Sequence, residues 1–363
     1  MPNARRAGIK LFYNGVDISR DIAPFLLNFS YTDQAHGKSD DLQVTLQDRE
    51  GNWRDPWFPE KGATLTGQIE VFDWDYEGDH RVLPCGRFEI DEVTCKAPPT
   101  TVDVKSISVP ITTTARQERR SKGWEKIKLS IMAREIATNH GLEFFWQSSE
   151  DPLLDRRDQI EASDLSLLKA QCERLGLAVK VTDVQLVIFD EREFEKRPSV
   201  ATIHLSDLNG ILKSFSLRSK TANTYKGAKL QYHDPVADED FEVYKAAEGA
   251  QSAEQTLNIN ERVKSLGEAE TVAEKRLYQK NKREVSGNMS LRGNMAMLGG
   301  STVDLSGFGV FDGRYFIEKA THKYSKSSGY TTDIDIRRGV GQGGGSRRAP
   351  SEESFPVYGG AES

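Results

Sequence analysis

Gly86-Arg87-Phe88-Glu89-Ile90-Asp91-Glu92-Val93, closing with Thr100-Thr101-Val102-Asp103-Val104-Lys105, is written a second time further along this chain. The second version is Gly313-Arg314-Tyr315-Phe316-Ile317-Glu318-Lys319-Ala320, closing with Thr331-Thr332-Asp333-Ile334-Asp335-Ile336-Arg337. Each opens on Gly-Arg-aromatic, passes a polar tip and returns as alternating apolar and charged residues. That alternation is the period of a strand with one buried face. A repeat spaced this widely points to a duplicated domain, because solenoid units recur at much shorter intervals.

Upstream residues extend the match. Phe29-Ser30-Tyr31 reads against Phe215-Ser216-Leu217, an offset in numbering of 215 − 29 = 186. Leu42-Gln43-Val44-Thr45-Leu46-Gln47-Asp48 reads against Ala228-Lys229-Leu230-Gln231-Tyr232-His233-Asp234 at the same offset. Between the Gly-Arg hairpins the offset is 313 − 86 = 227. The second copy is therefore expected to carry an insertion whose length is the difference, 227 − 186 = 41. Alternating hairpins resemble one another by chance; two blocks recurring in order favour duplication.

The 363 residues suggest two or three domains. Apolar residues make up 37% and charged ones 29%, a soluble composition. No apolar run reaches the roughly 18–20 residues of a membrane helix, and Met1–Tyr13 lacks a signal-peptide core. The expectation is a soluble product of the cytoplasm without a membrane anchor. Cys85, Cys95 and Cys172 read as reduced thiols: a ten-residue strand of roughly 33 Å separates the first two, and the third sits in a helix. A net charge of −6 argues against a surface built to grip nucleic acid.

From Ile9 to Arg116 the chain reads as nearly continuous β, with Asn14-Gly15 as a hairpin turn. A loop rich in Trp and Pro (Trp53, Pro56, Trp57, Phe58, Pro59) interrupts it. Helical signals follow. Met132 and Ile136 share a face before Gly141. Ser163 caps a helix whose Leu165, Leu168, Cys172 and Leu175 recur at three-to-four spacing. Leu177–Val181 and Gln185–Phe189 form a hairpin. The fold class expected is mainly β with an α+β insert: two duplicated β-barrel domains separated by a small α/β module. The expected divisions are 1–120 for the first barrel, 121–210 for the module and 211–338 for the second barrel, with a helical insertion near 248–284. Residues 339–363 read as a flexible tail. In the insertion, Glu268–Lys282 reads as a helix whose narrow stripe (Ala269, Val272, Ala273, Leu277) packs on its own barrel or on a neighbouring subunit.

No catalytic constellation emerges, and no catalytic, cofactor-binding or metal-ligating residue is assigned. His233–Asp240 lacks the glycine and spacing of a calcium loop and reads as solvated. Asp190-Glu191-Arg192-Glu193 reads as an exposed turn. The six histidines show no zinc spacing. Gly307-Phe308-Gly309-Val310-Phe311-Asp312-Gly313 leads into a strand, so it marks a turn at a barrel rim instead of a phosphate loop. A paired-carboxylate hydrolase leaves no local signature and stays open as an alternative.

Together these residues resemble the baseplate hub proteins of contractile-tailed phages, the late control protein D family. They are also similar to the hub portion of valine-glycine repeat spike proteins of secretion systems. Three segments carry the likeness. Asp40–Asp48 with Trp53 and Pro59-Glu60-Lys61-Gly62 looks like the family's first hairpin and loop. Ser163-Asp164-Leu165-Ser166-Leu167-Leu168 through Leu175-Gly176-Leu177 looks like its helix, with Leu167 where an aromatic is common. Phe308-Gly309 to Tyr315-Phe316-Ile317, then His322 and Gly329-Tyr330-Thr331-Thr332, looks like its closing strands. The likeness spans about residues 8 to 338.

What the resemblance implies is a homotrimer in which three chains supply six similar barrels. That ring would join a hexameric tail tube to a trimeric central spike and contact other baseplate (wedge) proteins, with the tape measure protein as a further candidate contact. It would act without catalysis or cofactor. The genome would pass through a neutral to acidic lumen without specific binding. The place implied is the virion tail baseplate, assembled in the host bacterial cytoplasm. Two other classes are weighed: a baseplate-borne cell-wall hydrolase, and the hub part of a secretion spike. The latter would continue into a β-helix that this sequence does not contain.

Overall fold

Period-two alternation along Ile9–Tyr13 becomes strand β1 (Arg6–Tyr13), which turns at Asn14-Gly15 into β2 (Val16–Asp17). Both turn residues have positive φ, 48° and 81°, as a two-residue hairpin of this hand requires. A single helical turn, α1 (Ser19–Ile22), leads to β3 (Leu26–Gln34), β4 (Asp41–Gln47), β5 (Thr64–Phe72), β6 (His80–Lys96) and β7 (Thr101–Ser108). The module follows: β8 (Arg120–Lys128), α2 (Leu129–Asn139), β9 (Glu143–Gln147), β10 (Leu153–Ala162), α3 (Asp164–Arg174), β11 (Ala178–Val181), β12 (Gln185–Phe189) and α4 (Glu191–Glu195). Then come β13 (Ala201–His204), β14 (Leu212–Ser219), β15 (Gly227–Asp234), β16 (Glu239–Ala246), β17 (Thr256–Ile259) and α5 (Leu266–Asn281). The described elements end with β18 (Val285–Arg292), β19 (Thr302–Ser306), β20 (Gly313–Ser325) and β21 (Gly329–Arg338). This computed structural model describes residues 4–108, 119–220, 222, 224–234, 238–247, 255–263 and 265–339. The 339–363 tail expected from composition thus lies outside the described residues except for Gly339, and so does part of the insertion.

The protein is mainly β. Among the described residues thirteen strands join in one sheet, and its order exposes the duplication. The first half runs β3-β4-β7-β6-β5-β1; the second runs β14-β18-β21-β20-β19-β13. Matched strands share their irregularities. The β3–β4 ladder shifts register between Leu26 and Asn28, and the β14–β18 ladder shifts between Leu212 and Ser214, an offset of 212 − 26 = 186. The β6–β7 ladder shifts between Ile90 and Glu92, and β20–β21 between Ile317 and Lys319, an offset of 317 − 90 = 227. Bulges re-aim a strand and are positional features of a fold, so their coincidence is stronger than shared alternation. One departure stands out: β1 runs antiparallel to β5, whereas β13 runs parallel to β19.

The structure corrects the second block of the sequence repeat. The partner of β3 is β4, and the partner of β14 is β18, so Val44 corresponds to Met289, not to Leu230. β15, containing Ala228–Asp234, belongs to a separate three-stranded sheet with β16 and β17. The insertion therefore falls between the first two strands of the second copy. Across it the offset rises from 186 to 289 − 44 = 245, an increase of 59 instead of the expected 41. Buried strands of equal length share one alternation, so pattern alone could not separate β15 from β18. The stripe of α5 likewise packs on neither barrel nor neighbour: Ala269, Val272, Ala273 and Leu277 join Ala228, Leu230 and Phe241 in the insertion's own core.

Each half of the large sheet curls around its own core. Leu11, Phe29, Leu42, Val44, Leu65, Ile69, Phe88, Ile90 and Val104, drawn from six strands, form one cluster. Leu212, Met289, Leu291, Val303, Tyr315, Ile317, Ile334 and Ile336 form the second. Each large side chain so buried contributes on the order of 1.5–3 kcal/mol relative to exposure. The two halves meet where β20 pairs with β3, from Lys319↔Gln34 to Ser325↔Asn28. The module keeps a separate core in which Met132, Ile136, Leu168 and Cys172 meet Leu186 and Ile188. Ser163 caps α3 by accepting from the Ser166 N–H at 3.3 Å.

Candidate assembly surfaces

A buried ionic junction ties the module and the insertion to the second half-sheet. Arg337 on β21 is fully buried, and its guanidinium lies 4.7 Å over the Phe316 ring. It donates to Glu191 Oε2 at 2.6 Å and to Glu195 on α4, and reaches Tyr278 Oη on α5 at 3.2 Å. Lys282 Nζ donates to both Glu191 oxygens, at 2.9 and 3.1 Å, and His36 approaches the same carboxylate at 3.3 Å. Burial alone would raise the Glu191 carboxyl, but Arg337, His36 and Lys282 outweigh it and hold it well below the usual range. Glu318, on the bulge of β20, sits 3.3 Å from Arg337 Nε. Segments from both half-sheets, the module and the insertion thus converge around one guanidinium.

A second polar knot joins the module to β3. Lys180 Nζ donates to Asp33 Oδ1 at 2.5 Å, while Asp33 Oδ2 accepts from the Gly299 N–H at 2.8 Å. Asp40, beside them, accepts from the Gln34 N–H at 2.7 Å. Burial pushes the Asp40 carboxyl up to about 7, against the pull of Lys180. At the β20–β3 seam, His322 stacks on Tyr31 with ring centroids 6.0 Å apart. Its Nε2 bonds the Met297 carbonyl at 3.0 Å and its Nδ1 the Tyr330 hydroxyl at 2.7 Å. Burial lowers its pKa to about 4, so it is neutral, with Nε2–H donating and Nδ1 accepting.

Two features face outward. The loop between β4 and β5 builds an aromatic cleft of about 670 Å³ lined by Leu11, Tyr13, Trp53, Trp57, Phe58 and Pro59. Trp53 and Trp57 meet edge to face at 5.5 Å, with Phe25 at 5.8 Å from each. The other feature is strand edge. Among the described residues β14 ends the sheet, and its outer side is exposed at Lys213–Ser216. On β6, pairing with β5 stops at Glu89, so among the described residues Glu92–Lys96 is held by β7 on one side only.

Sequence reading missed the ionic junction. Asp190–Glu193 is no exposed turn: Asp190 caps α4, accepting from the Arg192 N–H at 2.8 Å, and Glu191 is buried. Glu191 looks solvated locally because its partners, Lys282 and Arg337, lie far along the chain. Alternation also set Arg337 on the polar face of β21, which the module covers. The Gly307–Gly313 stretch forms a short turn, with Gly307, Gly309 and Gly313 at positive φ and Asp312 accepting from the Phe308 N–H at 2.6 Å. His233 bonds Asp240 at 2.9 Å across a hairpin whose tip, 235–237, lies outside the described residues. Among the described residues no group of three or more His, Cys, Asp or Glu is arranged to hold a metal. Nor is any helix among them long and apolar enough to cross a membrane.

A duplicated, curled sheet with an intervening α/β module is the fold of phage tail and baseplate hub proteins. The solved structures bear this out: the 43 kDa tail protein of prophage MuSo2 from Shewanella oneidensis superposes with a TM-score of 0.69. That likeness covers 93% of this chain and 99% of that one at 12% identity. An E. coli component of the type VI secretion system, described as similar to T4 tail proteins, superposes at 0.52 over 86% of this chain and 73% of its own, at 13% identity. In sequence, the chain is similar to the probable baseplate hub protein of Escherichia phage P2, 28% identical over 232 residues. That match spans 62% of this chain and 57% of the phage protein's length. No family model matches.

Proposed function

We propose that this chain is the structural hub of a phage-type tail baseplate, in which three copies form a ring of near sixfold symmetry between the hexameric tail tube and the trimeric central spike. The observation that carries the reading is the residue-level duplication: two half-sheets with the same strand order and the same two bulges, joined by one seam. One chain with two like units can meet sixfold contacts on one face and threefold contacts on the other. The units taken as ring-builders are residues 1–120 and 211–338, with 121–210 as the module, except that β13 (Ala201–His204) pairs with β19, puts Ile203 in the second core and so belongs with the second unit. The longer aromatic loop of the first half and the insertion of the second would reduce six to three. Similarity to a phage baseplate hub protein supports a role in the virion tail; tube, spike and wedge proteins as neighbours and assembly in the host cytoplasm belong to the proposal. The role asks for no catalysis. Mass measurement of the purified chain and class averages of the particle test it: a trimer with a sixfold-like ring is expected, and a monomer at all concentrations overturns it.

A further inference from the structure

One seam inside the chain joins its two half-sheets. It pairs the far half of β20, Lys319–Ser325, with β3. By the match of the bulges in β20 and β6, that half of β20 corresponds to Glu92–Pro98, of which Glu92–Lys96 lies on β6. By the match of the other two bulges, β3 corresponds to β14. Both counterparts have an unpaired edge: among the described residues no strand lies beside Glu92–Lys96 opposite β7, and none lies outside β14. Long unpaired edges are templates for strand addition, and folded proteins usually blunt or cover them.

Resting on the trimeric reading, we propose that β14 of a second copy of this chain adds antiparallel to Glu92–Lys96 of the first, repeating the internal seam between subunits. Transferring the register residue by residue sets Glu92 opposite Lys220, Thr94 opposite Arg218, Cys95 opposite Leu217 and Lys96 opposite Ser216. The Glu92–Lys220 pair, with Lys220 just past the end of β14, is complementary in charge, and Arg218 on β14 lies diagonal to Glu92 across the proposed pairing. All of these except the half-buried Thr94 and Leu217 are exposed in the single chain. Ala97 would face Phe215, and Pro98, lacking an N–H, ends the ladder there. The contact is head to tail, each chain offering β14 at one end and β6 at the other. A heterologous contact of this kind closes into a ring when its rotation repeats, and here every seam, within or between chains, has the same form.

Cys95 makes the test simple, because it is exposed while Cys85 and Cys172 are buried. Leu217→Cys in the full-length chain should give disulfide-linked dimers and trimers on mild oxidation, reversed by reductant and lost when Cys95→Ser is added. Because Leu217 packs partly on the second core, a second variant, Thr94→Cys/Arg218→Cys in a Cys95→Ser background, should give the same ladder. Trimers by mass that stay unlinked in both variants would overturn the strand pairing and leave the trimeric reading standing. A chain that is monomeric at every concentration would overturn both.

Discussion

Arg337 on the last strand and Glu191 on a helical turn of the module are ion-paired at 2.6 Å with side chains 0% and 2% exposed. Among the described residues no other pair links the second half-sheet to the module so completely out of water, and Glu191 also holds Lys282 from the insertion. Removing one partner of such a pair strands the rest. Arg337→Ala should destabilise the protein by about 3–5 kcal/mol, and replacing Arg337, Glu191, Glu195 and Lys282 together by apolar residues of like volume should recover most of that. Urea unfolding of the three proteins checks this; an Arg337→Ala loss under about 1 kcal/mol would contradict it.

Two buried titrating groups pull the acid stability in opposite directions. Asp40 keeps its proton up to about pH 7 in the fold but loses it near 4 when unfolded, so the folded form binds more protons between those values. Its contribution is therefore present in acid and fades as pH rises through 7. His322 is the reverse: held neutral down to about 4, it binds fewer protons than the unfolded chain, and stability falls as pH drops below about 6.5. Asp40→Asn should remove the first effect, so the variant should lose stability more steeply than the parent on acidification from about pH 6.5 to about 4.5. Parallel melting curves across that range in parent and variant would contradict this pair of roles.

Trp74, in the loop after β5, donates its indole N–H to the Gly293 carbonyl of the second half at 2.8 Å while both are shielded from solvent. Trp74→Phe leaves that carbonyl without this donor and should cost about 1–3 kcal/mol. Arg292 to Asp75, a half-exposed pair 3.0 Å apart beside it, should matter far less when cut by Asp75→Ala. A ranking of the two variants by denaturation midpoint is the measurement; equal effects would mean the indole bond adds nothing.

The repeat at Gly86 and Gly313 was readable because glycine at positive φ, an aromatic and a bulge leave a pattern along one strand. The helices of the module were readable for the same local reason: a cap at Ser163 and a stripe at helical spacing. What sequence could not supply was pairing. β15 and β18 carry the same alternation, and only the ladders decide that β18 lies beside β14. The ionic junction was hidden for a related reason, since Glu191 and Arg337 each look like a surface residue until a distant segment covers them.

Gly299 allows a test of how tightly the two halves are seated. A Cβ added there would lie 2.6 Å from the Ala35 amide nitrogen and 2.7 Å from the Gln34 carbonyl carbon, both backbone atoms that cannot swing aside. Its own N–H donates to Asp33, which also holds Lys180, so a displaced Gly299 loosens the knot between β3 and the module as well. Gly299→Ala should therefore cost about 1–3 kcal/mol, the range for overpacking a fitted site. Gly8, in β1, has nothing within 4 Å of an added Cβ and an ordinary φ, so Gly8→Ala should be neutral or slightly stabilising. Unfolding both variants beside the parent separates steric fit at the seam from the general effect of losing a glycine. If Gly299→Ala is as mild as Gly8→Ala, the contact between the β18–β19 loop and β3 yields easily, and the seam is held by its strand pairing alone.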